Sequence, residues 1–242
     1  ISCDVPENEE LNVQAEDIQL DILYEDDDII VINKPKGMVV HPAPGNYSGT
    51  LVNALLYHCK DLSGINGVIR PGIVHRIDKD TTGCIVACKN DLAHNAIAKQ
   101  LETKQCHREY IALVDGNIAN EAGAIDAPIG RDRRDRQKMT VTPTNSKNAR
   151  THFKVKERFQ HYTLLDCSLE TGRTHQIRVH MASIGHPLLG DTLYSSGKNP
   201  YKLQGQTLHA MTIGFIHPRT NAYMEVSAPL PEYFERLLQI IP

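Results

Sequence analysis

The chain has few aromatic residues and no long apolar run. It lacks tryptophan, and Phe, Trp and Tyr together make up 5% of its 242 residues. Its best apolar run, residues 29–32, has the length of a strand, whereas a membrane-spanning helix needs about 20 consecutive apolar residues. The sequence therefore predicts no association with a membrane. Its 40% of apolar residues suffice for the core of one large domain or two small ones.

A CxxC pair is also missing, although the chain has six cysteines. They are scattered through predicted strands and helices, which favours reduced thiols in a protein core over a disulfide framework. No signal peptide is visible. We therefore expect a cytoplasmic protein. Because the first residue is Ile1 rather than Met, we also expect this chain to be a piece of a longer one.

The chain has no basic excess, since its net charge is −3. Nucleic-acid-binding proteins often carry such an excess, but the total charge hides an uneven distribution. Acidic residues crowd the first 28 positions, whereas Lys and Arg gather between residues 131 and 158. Without the acidic lead the remainder is basic, so a polyanionic partner is allowed but not required.

Apolar periodicity predicts strands with a few helices among them. The predicted strands are residues 29–32, 84–88, 110–114, 151–157, 162–170, 208–215 and 222–226, the last two joined by a turn at 217–221. The predicted helices are residues 50–59, 91–102 and 174–184, and a closing helix from Pro231. Sequential strands joined by short turns predict an α+β domain with a mostly antiparallel sheet.

A long segment rich in Gly, Asp and Arg lies between Val114 and Thr151. It contains the stretch RDRRDRQK at residues 131–138, and long loops within compact domains are often functional. Two interpretations stay open for this stretch. Either arginines such as Arg134 and Arg136 bind phosphates, or the stretch is a solvated charged loop.

The most informative segment is HRIDKDTTG at residues 75–83. It places Asp78 between Arg76 and Lys79 and ends in a turn-prone Thr-Thr-Gly sequence. Neighbouring positive charge keeps a carboxylate ionised and available as a nucleophile or base. The alternative interpretation is a charged run on a solvated face.

A second candidate lies on the strand REYIALV at residues 108–114. A period of two places Tyr110, Ala112 and Val114 on one face, and Ile111 and Leu113 on the other. Tyr110 is either plain core, or a ring on which a base stacks with a hydroxyl available for proton transfer.

A third candidate group is ETGRTHQIRVH at residues 170–180. A glycine-containing turn leads into a helix, so free backbone donors and polar side chains meet at one end of it. Arg178 lies off the apolar stripe of Ile177, Met181 and Ile184 and can point to a cleft. The two histidines of the segment are five positions apart, which does not suit two ligands on one helix face, so no metal site is predicted.

Together these segments resemble the RluA-type pseudouridine synthases, and in particular the RluD-like branch that modifies large-subunit ribosomal RNA. The resemblance covers nearly everything from Asp21 onward. The segments that carry it are LDILYEDDD (20–28), NKPKGMVVHP (33–42), residues 75–83, 108–114 and 170–180, GD (190–191) and APLP (228–231). The implied fold is a mixed, mainly antiparallel sheet with a central catalytic cleft flanked by helices and loops.

The resemblance also implies a domain organisation. Many members of the family carry an RNA-binding S4 domain before the catalytic domain. We interpret residues 1–19 as the linker remnant of a missing S4 domain, and residues 20–242 as the catalytic domain. Thr82 and Cys88 stand where the family often has Ser and a small residue such as Ala, which leaves the implied chemistry intact.

The reaction that the resemblance implies is the isomerisation of uridine to pseudouridine in RNA. The C1′–N1 bond breaks, the uracil rotates, and C5 bonds to C1′. Asp78 matches the catalytic aspartate, which either attacks C1′ or removes a proton from C2′. Arg178 matches its paired arginine, Tyr110 the residue that stacks on the base, and Arg76 the residue that takes the place of the flipped nucleotide. Further candidates for substrate binding are His75, Thr81, Arg173, His175 and Gln176.

The resemblance implies neither a cofactor nor a catalytic metal. The expected partner is RNA, with ribosomal RNA as the main candidate and transfer RNA as the alternative, and we expect a monomer.

Two other interpretations use the same residues. The string DKDT at residues 78–81 matches the nucleophile motif of haloacid-dehalogenase-type phosphatases, which requires Mg²⁺, a preceding apolar strand and a doubly wound domain. His75 and Arg76 stand where that strand is required. A non-catalytic ribosome-assembly factor is the other interpretation. Such a protein is expected to lack one of Asp78, Tyr110 or Arg178, all of which are present here.

Overall fold

The computed structural model describes residues 13–67, 70–195 and 199–242. Its strands are β1 (Ile22–Glu25), β2 (Ile29–Lys34), β3 (Thr82–Cys88), β4 (His107–Asp115), β5 (Ala122–Asp126), β6 (Ile129–Arg131), β7 (Met139–Val141), β8 (Ser146–Lys147), β9 (Arg150–Arg158), β10 (Tyr162–Leu169), β11 (Leu208–Ile216) and β12 (Tyr223–Ser227). Its helices are α1 (Leu51–His58), α2 (Asp91–Glu102), α3 (Gln176–Ser183) and α4 (Glu232–Ile240). Every predicted strand and helix is present.

The larger sheet has nine strands in the order β1-β2-β3-β11-β4-β10-β9-β5, with β12 also paired to β11. Its strand pairs are antiparallel except for β3 and β11, which run parallel. This confirms the predicted α+β fold with a mixed, mainly antiparallel sheet. It does not fit the doubly wound parallel sheet that the phosphatase interpretation requires.

The prediction of one long loop between residues 114 and 151 is wrong. β5 pairs with β9 at the edge of the larger sheet, and β7-β6-β8 form a separate three-stranded sheet. These strands have only two to five residues, which is too short for a period of two to stand out from the surrounding Gly and Asp. The arginine-rich stretch is the hairpin between β6 and β7; we call residues 131–138 the arginine hairpin.

The larger sheet packs against helices on both faces. Residues of α1 and α3, such as Leu55 and Ile177, share one buried cluster with Tyr110. On the opposite face α2 and α4 supply separate clusters, with Ile97 in one and Phe234 in the other. Along β4, Tyr110, Ala112 and Val114 lie in the first cluster whereas Ile111 and Leu113 lie with α4, which confirms the predicted alternation.

The start of α3 differs from its prediction by two residues. His175 adopts the left-handed conformation, with φ 57° and ψ 22°, so the helix begins at Gln176. At the other end Ile184 is 41% exposed, so of the three residues of the predicted apolar stripe only Ile177 and Met181 are buried. The predicted glycine after the helix, Gly185, has φ 88° and lets the chain turn away.

Gly83 makes the parallel contact between β3 and β11 possible. Its φ is +102°, and a Cβ atom there would lie 2.1 Å from the carbonyl oxygen of Ala210. Both the backbone conformation and the space require glycine. The close approach fixes the start of β3, four residues after the aspartate of the most informative segment.

Residues 1–12 of the predicted linker lie outside the described residues, and residues 13–19 pack on the rest of the chain. Glu16 donates its backbone N–H to the carbonyl of Asn53, and its carboxylate accepts the N–H of Gly49. The Asn53 side chain donates to the carbonyl of Gln14. The boundary between linker and catalytic domain stays a prediction. No helix in the described part of the chain is long and apolar enough to cross a membrane.

Candidate active site

A cleft of about 560 Å³ opens on the face of the sheet that α1 and α3 cover. The 70–81 segment, β4 and the start of α3 form its walls. Nine of the eleven predicted site residues line it: His75, Arg76, Asp78, Thr81, Tyr110, Arg173, His175, Gln176 and Arg178. Arg134 and Arg136 do not line it.

Asp78, Arg178 and Asp191 form a chain of charged hydrogen bonds at the bottom of the cleft. Arg178 donates from Nη1 to Oδ2 of Asp78 at 2.9 Å. It also donates from Nε and Nη2 to the two carboxylate oxygens of Asp191, at 2.7 and 3.0 Å. Asp191 is fully buried and also accepts the N–H groups of Leu193 and Tyr194. This bidentate pair fixes the plane of the guanidinium that faces Asp78.

The charge of Arg178 is permanent. Burial opposes the charged guanidinium, but the hydrogen bond to Asp191 and the negative charges of Asp78 and Asp191 outweigh it and raise the pKa of Arg178. The side chain of Asp78 is only 16% exposed. Its carboxylate therefore faces a fixed positive charge in a partly desolvated site, where such an interaction is stronger than in water.

Lys34 fixes the backbone beside Asp78. Its side chain is completely buried, and Nζ donates to the carbonyls of Pro35, Met38 and Lys79 at 2.8–2.9 Å. Burial lowers the pKa of Lys34, and the negative charges of Asp80 and Asp78 oppose that shift. Because all three ammonium donors hold main-chain oxygens, Lys34 ties β2 to the turn that carries Asp78.

His175 is the other side chain close to Asp78. Its Nε2 lies 3.9 Å from Oδ1 of Asp78, and its Nδ1 is 2.8 Å from the hydroxyl of Tyr194. Burial lowers the pKa of His175, so the imidazole is neutral at pH 7. Its left-handed backbone is an uncommon conformation for a residue other than glycine, and such residues cluster at functional sites.

Tyr110 faces the cleft from β4 with a free hydroxyl. The residue is 7% exposed, and no hydrogen bond to its hydroxyl occurs within the described ranges. Burial raises the pKa of Tyr110; the nearby charge of Arg108 lowers it and that of Asp78 raises it. The phenol is therefore protonated at pH 7, and its ring and hydroxyl both adjoin the space beside Asp78.

Three predicted binding residues use their polar atoms within the protein. Gln176 bonds Thr171, the backbone of Arg173 and Arg150, and the hydroxyl of Thr151. In the same way Thr81, which is 1% exposed, accepts from the Gln206 amide, and Nε2 of His75 accepts the N–H of Val86. These residues hold the cleft walls in place. Their direct contact with substrate stays a prediction.

Arg76 and Arg173 lie nearer the mouth of the cleft. Arg76 is exposed and has no hydrogen bond or ion pair with any described residue. Arg173 donates from Nε to the carbonyl of Asn148, and its other guanidinium nitrogens have no partner in the described part of the chain. Both guanidinium groups can contact an anionic ligand that enters the cleft.

Asp191, Arg108 and His41 belong to the site but were not predicted as site residues. Asp191 belongs to the GD pair that carries part of the resemblance. Its bond to Arg178 is a tertiary contact, which the sequence does not show. Arg108 stands two positions before Tyr110, so a period of two already places it on the cleft face. His41 lines the cleft and is 5% exposed, and its Nδ1 has no partner within the described ranges.

Tyr194 links the base of the arginine hairpin to the cleft. The hydroxyl of Tyr194 accepts the backbone N–H of Met139, at the start of β7, and also bonds His175. Arg134 and Arg136 are exposed on the hairpin, and the backbone N–H of Arg134 donates to Asp132. The hairpin is therefore held beside the cleft with its guanidinium groups in solvent.

Among the described residues one group has the spacing of a metal site: Asp26, Asp28 and His217. It lies outside the cleft and its acceptors are already engaged. Arg219 donates to both oxygens of Asp28 at 2.6 Å, and Asp26 accepts from His217 at 2.7 Å. These pairs join the turn between β1 and β2 to the hairpin between β11 and β12.

The second aspartate of the DKDT string does not serve the cleft. Asp80 lies against Gly205, where a Cβ atom would be 2.6 Å from its carboxylate, and it does not line the cleft with Asp78. A phosphatase of the haloacid-dehalogenase type requires both aspartates around one Mg²⁺ ion. This geometry excludes that arrangement.

Comparison with known proteins agrees with the geometry. The family model for RNA pseudouridylate synthase matches residues 28–183. The chain is 59% identical to the RNA pseudouridine synthase YlyB of Bacillus subtilis, over 99% of this chain and 78% of that protein. It is 47% identical to ribosomal large subunit pseudouridine synthase D of Zymomonas mobilis, over 99% and 78% of the two chains.

A solved structure shows the same fold at low sequence identity. Human RNA pseudouridylate synthase domain containing 1 aligns with a TM-score of 0.72 over 91% of this chain and 94% of that one, at 23% identity. The family model covers the strands and helices that build the cleft, from β2 to α3. The chain therefore belongs to the RNA pseudouridylate synthase family, and it is an isomerase that converts uridine in RNA to pseudouridine.

Proposed function

We propose that this enzyme isomerises specific uridines of large-subunit ribosomal RNA and that the Asp78 cleft is its active site. The choice of RNA rests on relatives: proteins of Zymomonas mobilis and Nitrosomonas europaea, 47% and 49% identical to this chain, are named ribosomal large subunit pseudouridine synthase D. The choice of site rests on one observation, the Asp78 carboxylate held 2.9 Å from the guanidinium of a buried arginine in an open cleft.

Asp78 acts on the ribose of the target uridine. Its carboxylate either attacks C1′ or removes a proton from C2′, and either step releases the uracil from C1′. The uracil then rotates within the cleft and C5 bonds to C1′. This step breaks the Asp78–C1′ ester on the first route, and on the second route Asp78 returns its proton to C2′. In the final step C5 loses its hydrogen and N1 carries a proton, so atoms balance without an external reactant.

Arg178 and Tyr110 hold the reacting groups. Arg178 keeps the Asp78 carboxylate in one orientation through the pair that it forms with Asp191. Tyr110 stacks on the uracil, and its hydroxyl, free among the described residues, takes part in the loss of the C5 proton. Both side chains are buried beside the space that the base occupies.

Arg76 supports the flipped state of the nucleotide. Flipping costs a few kcal/mol of unstacking, which inserted side chains must offset. Arg76 is exposed at the mouth of the cleft and is free to enter the space that the uridine leaves. Arg173 and His175 contact the same nucleotide from the α3 side, and Arg134 and Arg136 bind phosphates farther out.

We further propose that the enzyme acts as a monomer in the cytoplasm. The five cysteines in the described ranges are free and buried, which suits a reducing compartment. Each of the residues proposed for catalysis comes from the one chain.

Release of tritium from uridine C5 tests the function. Transcripts of large-subunit ribosomal RNA and of transfer RNA, labelled at C5, and the assembled large-subunit particle are incubated with the enzyme in EDTA. We expect fastest release from ribosomal RNA and none with Asp78→Asn, which still binds the RNA. Asp27→Asn, an exposed aspartate outside the cleft, is the matched control and is expected to behave like the wild type.

Three outcomes would contradict the proposal. Faster release from transfer RNA would assign a different substrate. Full activity of Asp78→Asn would remove Asp78 from the mechanism. Absence of release from every RNA, with binding intact, would indicate a protein that binds ribosomal RNA without modifying it.

A further inference from the structure

Arg108 is a buried arginine without a partner. It is 8% exposed, its Nε is inaccessible to solvent and has no acceptor, and its guanidinium makes neither a hydrogen bond nor an ion pair with any described residue. A buried cation without a counter-charge is unfavourable, and arginine in a protein interior is normally paired. The free protein therefore keeps a costly charge in place.

The guanidinium of Arg108 occupies space left by a glycine. It lies over Gly172, where a Cβ atom would be 2.5 Å from Nη1. Gly172 does not have a positive φ, so the backbone conformation does not require glycine there. A larger residue there would push the flexible end of the Arg108 side chain aside. The 170–173 turn and β4 thus hold Arg108 at one edge of the cleft.

The cleft around Arg108 is positively charged. Its lining includes five arginines, namely Arg70, Arg76, Arg108, Arg173 and Arg178, but only two carboxylates, Asp78 and Glu102. Arg178 already neutralises Asp78, and Glu102 pairs with Lys99. The lining carries no spare carboxylate for Arg108. A ligand that enters the cleft can supply the counter-charge.

We propose that Arg108 binds a backbone phosphate of the RNA strand next to the target uridine. This inference rests on the proposed function, because it needs RNA in this cleft. Phosphate is the anionic group of RNA, and the planar guanidinium fork fits two of its oxygens. A neutral uracil carbonyl would not compensate the buried charge. Tyr110 lies two positions farther along β4, which places the phosphate contact beside the base that stacks on this ring.

Binding of a fluorescein-labelled uridine dodecamer tests the assignment at salt concentrations between about 50 and 300 mM, a range over which the Debye length falls about 2.4-fold. Arg108→Met is expected to weaken binding at least about tenfold at low salt, as for a lost charge-assisted bond. It should also reduce the slope of log affinity against log salt by about 0.7, the contribution of one phosphate contact on a single strand. Arg108→Lys should keep the slope and lose part of the affinity, because it retains the charge without the fork.

Two further variants separate binding from folding. Gly172→Ala leaves Arg108 in the chain but displaces the flexible end of its side chain, so we expect a stable protein that binds the dodecamer more weakly. Arg236→Met removes an exposed arginine of α4 that pairs with Glu232, and it should bind like the wild type. Thermal unfolding of each variant confirms that the fold is intact.

The outcomes distinguish this inference from the proposed function. Wild-type affinity and slope in Arg108→Met would overturn the phosphate assignment, even if the wild-type enzyme releases tritium from ribosomal RNA. Normal affinity with a shifted pH profile of turnover would overturn it too, and would make Arg108 a positioning residue for Tyr110. Weakened binding by Arg108→Met in a protein whose wild type releases no tritium would support the phosphate contact and reject the proposed function.

Discussion

Arg178 and Arg108 are both buried arginines in the same cleft, but their surroundings are opposite. Arg178 is 5% exposed and bonds two aspartates through three of its nitrogens. Arg108 is 8% exposed and bonds none of the described residues. The first charge is fixed before substrate arrives, whereas the second is left for the substrate to neutralise. A buried arginine can thus either organise the reacting groups or receive a ligand, and its partners tell which.

The comparison extends to the histidines of the cleft. His175 lies beside the paired charges, and its ring nitrogens face Tyr194 and Asp78. His41 lies among unpaired arginines: burial, and then the charges of Arg70 and Arg76, lower its pKa to about 4. At the end of the cleft near His175, the charges of Asp78, Arg178 and Asp191 are paired. At the end near His41, unpaired arginines disfavour any further positive charge. In the proposed complex, an RNA strand that crosses the cleft passes from phosphate-binding groups to reacting groups.

The largest expected effect comes from breaking the hydrogen-bonded network of Asp78, Arg178 and Asp191. Asp191→Asn removes the counter-charge that orients Arg178, leaving it more like Arg108. We expect turnover on RNA to fall at least about 10²-fold, because a misplaced guanidinium misplaces Asp78. We also expect a loss of about 3 kcal/mol in the free energy of unfolding, since one partner of a buried pair is removed. Single-turnover kinetics and urea unfolding measure the two quantities.

The matched control for this substitution is Asp166→Asn. Asp166 pairs with Lys156 on the surface of the sheet, at 3.3 Å and with its side chain 43% exposed. Exposed pairs contribute little, so we expect a loss below about 1 kcal/mol and unchanged turnover. Equal losses in the two variants would show that burial of the network is irrelevant.

A second prediction concerns Tyr110, which lines the cleft together with Asp78, whose charge is paired, and Arg108, whose charge is not. Tyr110→Phe keeps the ring that we propose to stack on the base and removes the hydroxyl that we propose to transfer a proton. We expect RNA affinity to stay constant and turnover to fall about 10²-fold, the usual contribution of general acid–base catalysis. Tyr223→Phe, which removes an exposed hydroxyl bonded to Glu225, is the control. An unchanged rate in Tyr110→Phe would limit this residue to stacking.

Much of the fold was predictable because its signals are local. The alternation of β4 follows from neighbouring residues, and the structure has it. The starts of α1 and α2 are also local, since the side chains of Thr50 and Asn90 cap these two helices. The start of α3 was not predictable, because His175 adopts the left-handed conformation, which is uncommon for a residue other than glycine. The short strands of the β6–β8 sheet have too few residues to show a period.

Most residues that line the cleft were predictable, but the hydrogen bonds between them were not. Asp78 and Arg178 are 100 positions apart, and they were brought together only through the family resemblance. The Asp191 clamp and the unpaired state of Arg108 are properties of the packed structure. Arg108 carries a weak signal in the sequence, its position on the same strand face as Tyr110. That signal places a side chain but says nothing of its partners.

The unpaired end of the cleft predicts a pH dependence of stability. The histidines at this end resist protonation when folded: His41 has a pKa of about 4, and burial and Arg108 lower that of His75 to about 3. The unfolded chain binds these protons near pH 6.5. Between pH 6.5 and 4 the unfolded state therefore holds more protons, and stability falls as pH falls, by up to about 1.4 kcal/mol per pH unit for each histidine.

Urea unfolding between pH 7.5 and about 4.5 measures this slope against His41→Gln, which cannot be protonated. The variant should lose less stability per pH unit than the wild type. His161→Gln, at an exposed position, should leave the slope unchanged. If His41→Gln keeps the wild-type slope, burial and the neighbouring arginines do not hold His41 neutral.

The smallest effect is expected at the arginine hairpin, where charges are exposed rather than buried. Arg134→Glu together with Arg136→Glu should weaken binding of ribosomal RNA about tenfold at low salt and reduce the salt slope by about 1.4, two contacts on a single strand. The difference should vanish at high salt, because solvent screens exposed charges more than buried ones. Arg108→Met should keep part of its defect under the same conditions. Arg236→Glu, an exposed charge reversal on α4, serves as the control. A hairpin defect that persists at high salt would mean that these arginines are buried against the RNA. The difference between buried arginines in the cleft and exposed arginines on the hairpin would then not hold once substrate is bound.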